Sequence, residues 1–317
     1  MNSSPQAVFR IGVVIPSYNR AKVVTQALES VRQQDWAPQQ VVVVDDGSSD
    51  NTETAIAQWQ ADHQPPWPLT VLRQQNQGPG AARNRGILAL ADCDFIAFLD
   101  SDDLWPSTHL QAMATFLHQH PEAIACTTPT LEVFEDAEGQ RVSECLMSLP
   151  LPAELQGPAA HMKSAPSCSS TLVRRDTLLA AGLFDTRLRY AEDKLLFMKV
   201  SLFGHWGRVD NDPVIYRNKI KSIISHQLSN RPHQNSRLRY AHLLERDTRN
   251  ICQHHPRVIT TGLNHALWKA WHRAGRHLDK NGHPRLAARY YAHALRYRRV
   301  GKSFGRLILA CLRSYLS

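Results

Sequence analysis

Short apolar runs and stretches of helical spacing alternate along the front of the chain. The apolar runs are bounded by turn-forming residues, which is typical of buried strands, and they cover residues 11–16, 41–44, 69–72 and 95–99. Between the first two runs, Val24, Leu28 and Val31 recur with the period of a helix. Strands that alternate with helices predict parallel crossovers and a sheet covered on both faces, which is an α/β fold.

Cap and turn residues indicate where the intervening helices begin. Asp50 followed by Glu53 predicts a capping box for the helix that carries Ile56 and Trp59. The turn from 75 to 80 predicts a helix over residues 81–91, and Pro106 predicts the start of a helix that runs to residue 120.

Beyond residue 120 the alternation loosens. Residues 123–152 mix short β-rich runs with polar turns, which predicts an excursion from the sheet. Residues 169–174 predict a strand, residues 175–181 a short helix that Gly182 ends, and residues 191–203 a longer helix.

The tail differs from the front in charge. Residues 1–234 hold 20 Lys and Arg against 25 Asp and Glu, whereas residues 235–317 hold 17 against 3, which are net charges of −5 and +14. This asymmetry predicts a boundary near 225–236. We therefore expect a catalytic domain over 1–225 and a small, basic, all-helical region over 226–317.

Two apolar stripes in the tail predict a helical hairpin that resembles one tetratricopeptide unit. Such a unit cannot bury its own face, so we expect it to pack on the front domain or on a partner. The last segment, 304–316, is apolar with interspersed arginines. It fits either a basic helical bundle whose charges are solvated or a surface that attaches to an anionic membrane.

Composition excludes several other classes of protein. No stretch reaches the roughly 20 consecutive apolar residues of a membrane span, and the N-terminus lacks the pattern of a secretory signal. The expected location is therefore the cytoplasm, with attachment to the inner face of the membrane as the alternative that the basic tail offers. The 6 scattered cysteines and 16 histidines show no metal-ligand spacing.

Three carboxylates, Asp100, Asp102 and Asp103, follow the fourth apolar run. Ligands of open α/β sheets bind beyond the carboxyl ends of the strands, and carboxylates this close together would be stabilised by Mg²⁺ or Mn²⁺. The alternative is a solvated acidic turn before a helix. A second acidic pair, Glu192 and Asp193, falls at a predicted helix start, where the helix dipole alone favours acidic residues.

Five segments together resemble the inverting family 2 glycosyltransferases with the GT-A fold, and they occur in that family's order over about residues 9–220. The segments are VVIPSYNR (13–20), VVVVDDGSSDNT (41–52), QNQGPGAARNRGI (75–87), FLDSDD (98–103) and AGLFDTRLRYAEDKLLF (181–197). The resemblance implies a GT-A fold, Rossmann-like with a mostly parallel sheet and helices on both faces. It also implies a hexosyltransferase that moves a sugar from a nucleotide-sugar donor, with UDP-sugar expected, to an acceptor hydroxyl with inversion.

The resemblance assigns the donor-binding residues by position. Pro16 and Tyr18 correspond to the lip of the nucleotide pocket. Asp46 corresponds to the residue that accepts a hydrogen bond from the uracil imide, although a turn aspartate also fits this position. Arg83 corresponds to a residue that contacts the base or the diphosphate, and because it is not glycine a dinucleotide-binding fingerprint fails here. Asp100 corresponds to a residue near the ribose.

The same resemblance assigns the metal and the base. Asp102 corresponds to the ligand of a Mg²⁺ or Mn²⁺ ion that bridges the donor phosphates, with Asp103 behind it. Asp193 corresponds to the catalytic base. No histidine follows Tyr216 and Arg217, so no histidine ligand is expected. Lys219 or Lys221 could neutralise the leaving diphosphate, or either could be a solvated loop lysine.

The resemblance also implies partners, and two other functions stay open. The expected acceptor is a glycan or a lipid-linked saccharide of cell-surface polysaccharide or glycolipid synthesis, and no nucleic-acid partner is expected. One alternative is a phosphotransfer enzyme that uses FLDSDD as haloacid dehalogenases do, although Leu104 departs from that motif. The other is a catalytically inactive relative that acts as a binding module.

Overall fold

A computed structural model of the chain describes residues 9–136, 140–147, 166–219, 236–298 and 301–316. Within these ranges the strands are β1 (Ile11–Ser17), β2 (Gln40–Asp45), β3 (Leu69–Arg73), β4 (Phe95–Phe98), β5 (Ala123–Thr127), β6 (Thr130–Glu135), β7 (Arg141–Met147), β8 (Thr171–Arg174), β9 (His205–Arg208) and β10 (Val214–Lys219). The helices are α1 (Val24–Arg32), α2 (Thr52–His63), α3 (Pro79–Ala89), α4 (His109–Gln119), α5 (Arg175–Ala180), α6 (Glu192–Val200), α7 (Ser236–His254), α8 (Leu263–Lys280), α9 (Pro284–Leu295) and α10 (Gly301–Leu316).

The central sheet has the strand order β3-β2-β1-β4-β8-β5-β9. Strand β8 runs antiparallel to β4 and β5, and the other neighbouring strands are parallel. Ser17 at the end of β1 pairs with Asp45 at the end of β2, and β4 ends beside Val14. The carboxyl ends of β1, β2 and β4 therefore meet at one edge of the sheet. The predicted mostly parallel α/β sheet is confirmed.

Helices cover both faces of this sheet, as predicted. Successive side chains of a strand point to opposite faces, so Val13 and Ile15 of β1 pack in the layer that contains α1, α2 and α4. Val14 packs in the opposite layer with α3, α5 and α6. The sheet is therefore apolar on both sides, which explains why its strands read as continuous apolar runs.

The strands of the excursion predicted after residue 120 belong to two different sheets. Strand β5 returns to the central sheet, while β6 and β7 join β10 in a three-stranded sheet of order β10-β6-β7. This small sheet is attached next to residues 100–103, the acidic segment, since Leu104 and Ile215 exchange backbone hydrogen bonds of 3.0 and 2.9 Å. Because no motif constrains them, residues 131–170 and 187–190 are expected to determine the specificity for sugar and acceptor, and the first of these ranges lies partly outside the described residues.

The C-terminal helices pack on the front domain, one of the two alternatives for them. Leu195 and Met198 of α6 share an apolar cluster with Leu244 of α7 and Trp271 of α8. The buried Lys199 ammonium lies 3.9 Å from the Asp247 carboxylate across this contact. The predicted domain boundary near residue 225 lies outside the described residues. Across the ranges that the structure covers, none of the helices combines the length and the apolar character that crossing a membrane requires.

Two predicted helix starts are wrong in detail. The capping box of α2 does not form, because Glu53 turns outward to pair with Arg73 at 2.5 Å. Instead the backbone N–H of Thr52 donates to Asp50 at 3.1 Å. Helix α4 begins at His109, and the Pro106 carbonyl accepts its backbone N–H in a preceding turn. Gly182, at φ +77°, ends α5 as predicted.

Candidate active site

The loops after β1 and β2 are bound to each other at the carboxyl edge of the sheet. The Asn19 backbone N–H donates to Ser48 Oγ at 2.9 Å, and the Ser49 N–H donates to Asn19 Oδ1 at 2.8 Å. Pro16 is buried in β1, while Tyr18 is 45% exposed beside these loops. Tyr18 is therefore accessible to a ligand, whereas the buried side chain of Pro16 is not.

The Asp46 carboxylate organises the loop that precedes α3. It accepts hydrogen bonds from the Gln74 amide at 2.8 Å and from the backbone N–H groups of Gln77 and Gly78 at 2.9 and 2.8 Å. Gly78 adopts φ +92°, a conformation that favours glycine. Asp46 is thus a turn aspartate in this structure. Since a carboxylate has about four acceptor sites, it can accept one more donor, such as a uracil imide.

Arg83 lies buried between two carboxylates and links them. Its Nη2 lies 2.6 Å from Asp100 Oδ1 and its Nη1 lies 2.9 Å from Glu192 Oε1, and the residue is 5% exposed. Burial alone would lower the pKa of Arg83, but the charges of Asp100 and Glu192 outweigh burial and hold that pKa well above its usual value. Arg83 therefore joins the segments that contain Asp100 and Glu192 into one site.

Asp102 faces a cation supplied by the loop after β1. Arg20 Nη2 lies 3.2 Å from Asp102 Oδ2, and the Asp102 side chain is 37% exposed. Partial burial raises the pKa of Asp102 above its ordinary value, Arg20 opposes this effect, and the negative charge of Asp100 adds to it. Ionised Asp102 would be stabilised by a further positive charge.

Asp103 is the buried residue that fixes the acidic segment to the rest of the protein. Ser169 Oγ donates to Asp103 Oδ2 at 2.5 Å, and the Arg217 backbone N–H donates to Oδ1 at 3.2 Å. Ser169 Oγ also accepts the Asp100 backbone N–H at 3.0 Å. Asp103 is 1% exposed, and burial together with the charges of Asp100 and Asp102 raises its pKa well above the usual value. It positions its neighbours rather than facing a ligand.

Glu192 and Asp193 begin α6, directly after Ala191 in the left-handed conformation at φ +61°. Glu192 is 7% exposed and is held by Arg83. Asp193 accepts the adjacent Lys194 backbone N–H at Oδ1 over 2.7 Å, and no donor among the described residues contacts its Oδ2. Burial raises the pKa of both carboxyls against the opposing charge of Arg83.

The carboxylates of the acidic segment fit a hard divalent cation, which prefers oxygen ligands. Burial disfavours the ionised form of Asp102, and a cation would relieve that cost. Within the described ranges no cluster of three or more His, Cys, Asp and Glu side chains could hold a metal by itself. Asp102 would therefore share such an ion with phosphate oxygens and water. Lys219 and Lys221 lie outside the residues whose side chains the structure describes.

The structure adds three residues that the sequence did not single out. Arg20 lies beside Asp102, Ser169 supports Asp103, and Tyr240 of α7 lies near Asp193. Burial raises the pKa of Tyr240 above its usual value, and the charge of Asp193 adds to that effect. The charge of Asp193 thus acts on a residue of the helical region. An arginine after the first strand was visible in the sequence, but its partner depends on how the loops fold.

The family follows from a comparison with known proteins. The family model described as Glycosyl transferase family 2 matches residues 12–176, slightly more than half of the chain. The chain belongs to glycosyl transferase family 2. The family expected from the five sequence segments is therefore confirmed, and the phosphotransfer alternative is set aside.

Several relatives support this membership over part of their length. The chain is 28% identical over 213 residues to the poly(ribitol-phosphate) beta-N-acetylglucosaminyltransferase TarS of Staphylococcus aureus, covering 66% of this chain and 35% of TarS. It is 40% identical over 116 residues to the succinoglycan biosynthesis protein ExoW of Rhizobium meliloti, covering 34% of this chain and 35% of ExoW. The chain thus spans about a third of the length of these relatives.

A solved structure confirms the GT-A fold. The crystal structure of S. aureus TarS in complex with UDP-GlcNAc has a TM-score of 0.56 with this chain, at 21% identity. The match covers 89% of this chain and 83% of that one. It extends past the family match into the C-terminal helices, since 89% of the 317 residues is more than the part of the chain that precedes Ser236.

Proposed function

We propose that the chain is a metal-dependent, inverting hexosyltransferase that moves a sugar from a UDP-sugar to an acceptor hydroxyl. The proposal rests on one observation: the two carboxylates at the start of α6 differ in their hydrogen-bond partners. Arg83 holds Glu192, whereas Asp193 keeps one oxygen without a donor among the described residues. An inverting displacement needs one base on the acceptor side, and Asp193 is the carboxylate able to accept that proton.

The donor side rests on the loops that surround the sheet edge. Tyr18 and Asp46 border the position assigned to the base, and Asp100 follows the end of β4. A divalent ion held at Asp102 would supply positive charge for the leaving diphosphate. Arg20 lies next to Asp102 and would add a second positive charge at the same place. Arg83 supports this site by orienting Asp100, and direct contact of Arg83 with the donor stays a prediction.

The acceptor is proposed to be a glycan or lipid-linked saccharide of cell-surface polysaccharide or glycolipid synthesis. TarS and ExoW, by their names, act on poly(ribitol-phosphate) and in succinoglycan biosynthesis. The first name describes sugar transfer to a polymer and the second a role in succinoglycan biosynthesis, which supports this class of acceptor. The particular sugar and acceptor are expected to depend on residues 131–170, which are partly outside the described ranges, and on residues 187–190.

Attachment to the inner face of a membrane is proposed for the helical region. On α10 the exposed apolar residues Ile308, Leu309 and Leu312 lie on one side of the helix. They belong to a region of net charge +14, which complements anionic lipid. The C-terminal helices would then hold the active-site edge near lipid-linked acceptors.

A thermal-shift screen tests the donor proposal. UDP-, GDP-, dTDP- and CMP-sugars are each added to the full-length protein with Mn²⁺, because a ligand that binds the folded state raises the Tm. We expect UDP-sugars to raise the Tm most, and to do so less after chelation of the metal. A larger effect of another nucleotide would overturn the UDP assignment. No effect of any nucleotide sugar would support the inactive-relative alternative.

A further inference from the structure

An open cleft of about 560 Å³ lies in the C-terminal helical region, between α7 and α9 with α8 behind it. Its lining includes Arg246 and Arg249 of α7, Arg289 of α9 and Trp271 of α8. None of these residues belongs to the carboxylate-lined edge of the sheet. The volume falls within the range of about 300–1,000 Å³ that is typical of small-ligand sites.

The cleft carries an excess of positive charge. Glu245 is the one acidic residue of the described lining, and it pairs with Arg249 at 2.8 Å and with His293 at 2.8 Å. Arg246 pairs with Asp247 at 2.5 Å. Arg289 is exposed and has no ion pair or hydrogen-bond partner within the part of the chain that the structure describes. One guanidinium in the cleft is therefore available to an incoming anion.

Aromatic rings stand beside these cations. The ring centroids of Trp271 and His293 are 4.0 Å apart, and those of Trp271 and Tyr290 are 5.0 Å apart. His242 Nε2 lies 2.9 Å from the Tyr290 hydroxyl. Trp271 is 4% exposed and fixes this cluster from behind, while His242 and Tyr290 remain accessible. The cleft thus offers apolar ring surface and hydrogen-bonding groups next to an arginine.

We propose that this cleft binds an anionic saccharide, a sugar that carries a phosphate or a carboxylate group. Guanidinium groups bind either oxyanion through two parallel hydrogen bonds, which makes arginine well suited to this recognition. The aromatic rings and the Asn250 and Gln253 amides of the lining suit a sugar body. A neutral saccharide would make no use of the charge of Arg289. The inference rests on this cleft alone and would stand if sugar transfer were not observed.

Isothermal titration calorimetry of the full-length protein tests the proposal with glucose 6-phosphate, glucuronate and glucose. The variant is Arg289→Gln, which removes the available charge and breaks no ion pair or hydrogen bond among the described residues. The control is Arg257→Gln, the same charge change at an exposed arginine outside the cleft lining. We expect saturable binding of a charged sugar to the wild type and about tenfold or more weaker binding to Arg289→Gln, as for loss of a charge-assisted hydrogen bond.

The comparison among ligands and variants decides the outcome. Stronger binding of glucose 6-phosphate than of glucuronate would identify phosphate as the recognised group, and the reverse order would identify carboxylate. Equal binding of glucose would overturn the need for an anion. Equal affinities of Arg289→Gln and Arg257→Gln, or no saturable binding of any charged sugar to the wild type, would overturn the site.

Discussion

Arg83 Nη1 lies 2.9 Å from Glu192 Oε1, so one member of the adjacent acidic pair is engaged by a buried cation while its neighbour is not. The two residues are 109 positions apart in the sequence. The same guanidinium holds Asp100, so α3 connects the acidic segment after β4 to the start of α6. The donor and acceptor sides of the proposed site are therefore connected through the Arg83 side chain.

Removal of Arg83 is expected to destabilise the fold as well as the site. Arg83→Gln leaves the buried Glu192 carboxylate without its partner, which costs about 3–5 kcal/mol in the free energy of unfolding. Arg85→Gln on the same helix is the control. Its free energy of unfolding should fall by less than about 1 kcal/mol, because Arg85 is not part of a buried ion pair. Urea denaturation measures both. Equal losses in the two variants would contradict the structural role of Arg83.

Metal-dependent donor binding is expected to depend on Asp102. Asp102→Ala should abolish the increase in UDP affinity that is expected from Mn²⁺, because the proposed protein ligand of the ion is removed. Asp92→Ala, which removes an exposed carboxylate elsewhere, should leave that increase intact. Calorimetric titration with UDP, with and without a chelator, measures the effect. Equal UDP affinity of the wild type in both conditions would refute metal dependence.

The rate of transfer is expected to fall with decreasing pH through a group whose pKa is raised. A base must be deprotonated to act, and burial raises the pKa of Asp193, so its active form is lost at a higher pH than for a solvated aspartate. The two adjacent carboxyls titrate as a pair, so the apparent pKa belongs to both. A profile of kcat/KM against pH reports it. If the residual activity of Asp193→Asn falls at low pH with the same apparent pKa as the wild type, the titrating group is not Asp193.

Much of the fold could be predicted from the sequence. Apolar runs and helical spacing locate the sheet and its helices because a doubly covered strand must be apolar on both sides. Chain order then brings Asp46 and Asp100 to one edge, since parallel strands end together. The antiparallel insertion of β8 was not predictable, because its pairing with β4 and β5 depends on long-range contacts that leave no periodic signal.

The hydrogen bonds and ion pairs within the site were less predictable than the location of the site. Asp46 was expected to be free for a ligand or to serve a turn, and the structure places three hydrogen bonds on it. Arg83 was expected to contact the base or the diphosphate of the donor, but its guanidinium group pairs with two carboxylates. A sequence specifies which charges exist, whereas pairing depends on distances that appear only after the strands and loops have packed.

Membrane attachment is expected to require the apolar side of α10. The protein should pellet with anionic vesicles at low salt, where charge screening is weakest, and Leu309→Ser/Leu312→Ser should reduce the bound fraction, since burial of each leucine contributes about 1.5–3 kcal/mol. Leu88→Ser/Leu179→Ser, at exposed leucines of the front domain, is the control. Wild-type protein that remains in the supernatant under these conditions would rule out the attachment.

The assignment of Asp193 as base and Glu192 as a structural carboxylate is the central claim, and paired substitutions test it directly. Single-turnover sugar transfer and UDP affinity are measured side by side on Asp193→Asn and Glu192→Gln, which keep the shape of each side chain and remove its charge. We expect Asp193→Asn to lower the rate by about 10²–10⁴-fold, the usual contribution of positioned proton transfer, with UDP affinity nearly unchanged. Near-normal transfer by Asp193→Asn together with a large loss in Glu192→Gln would contradict the account.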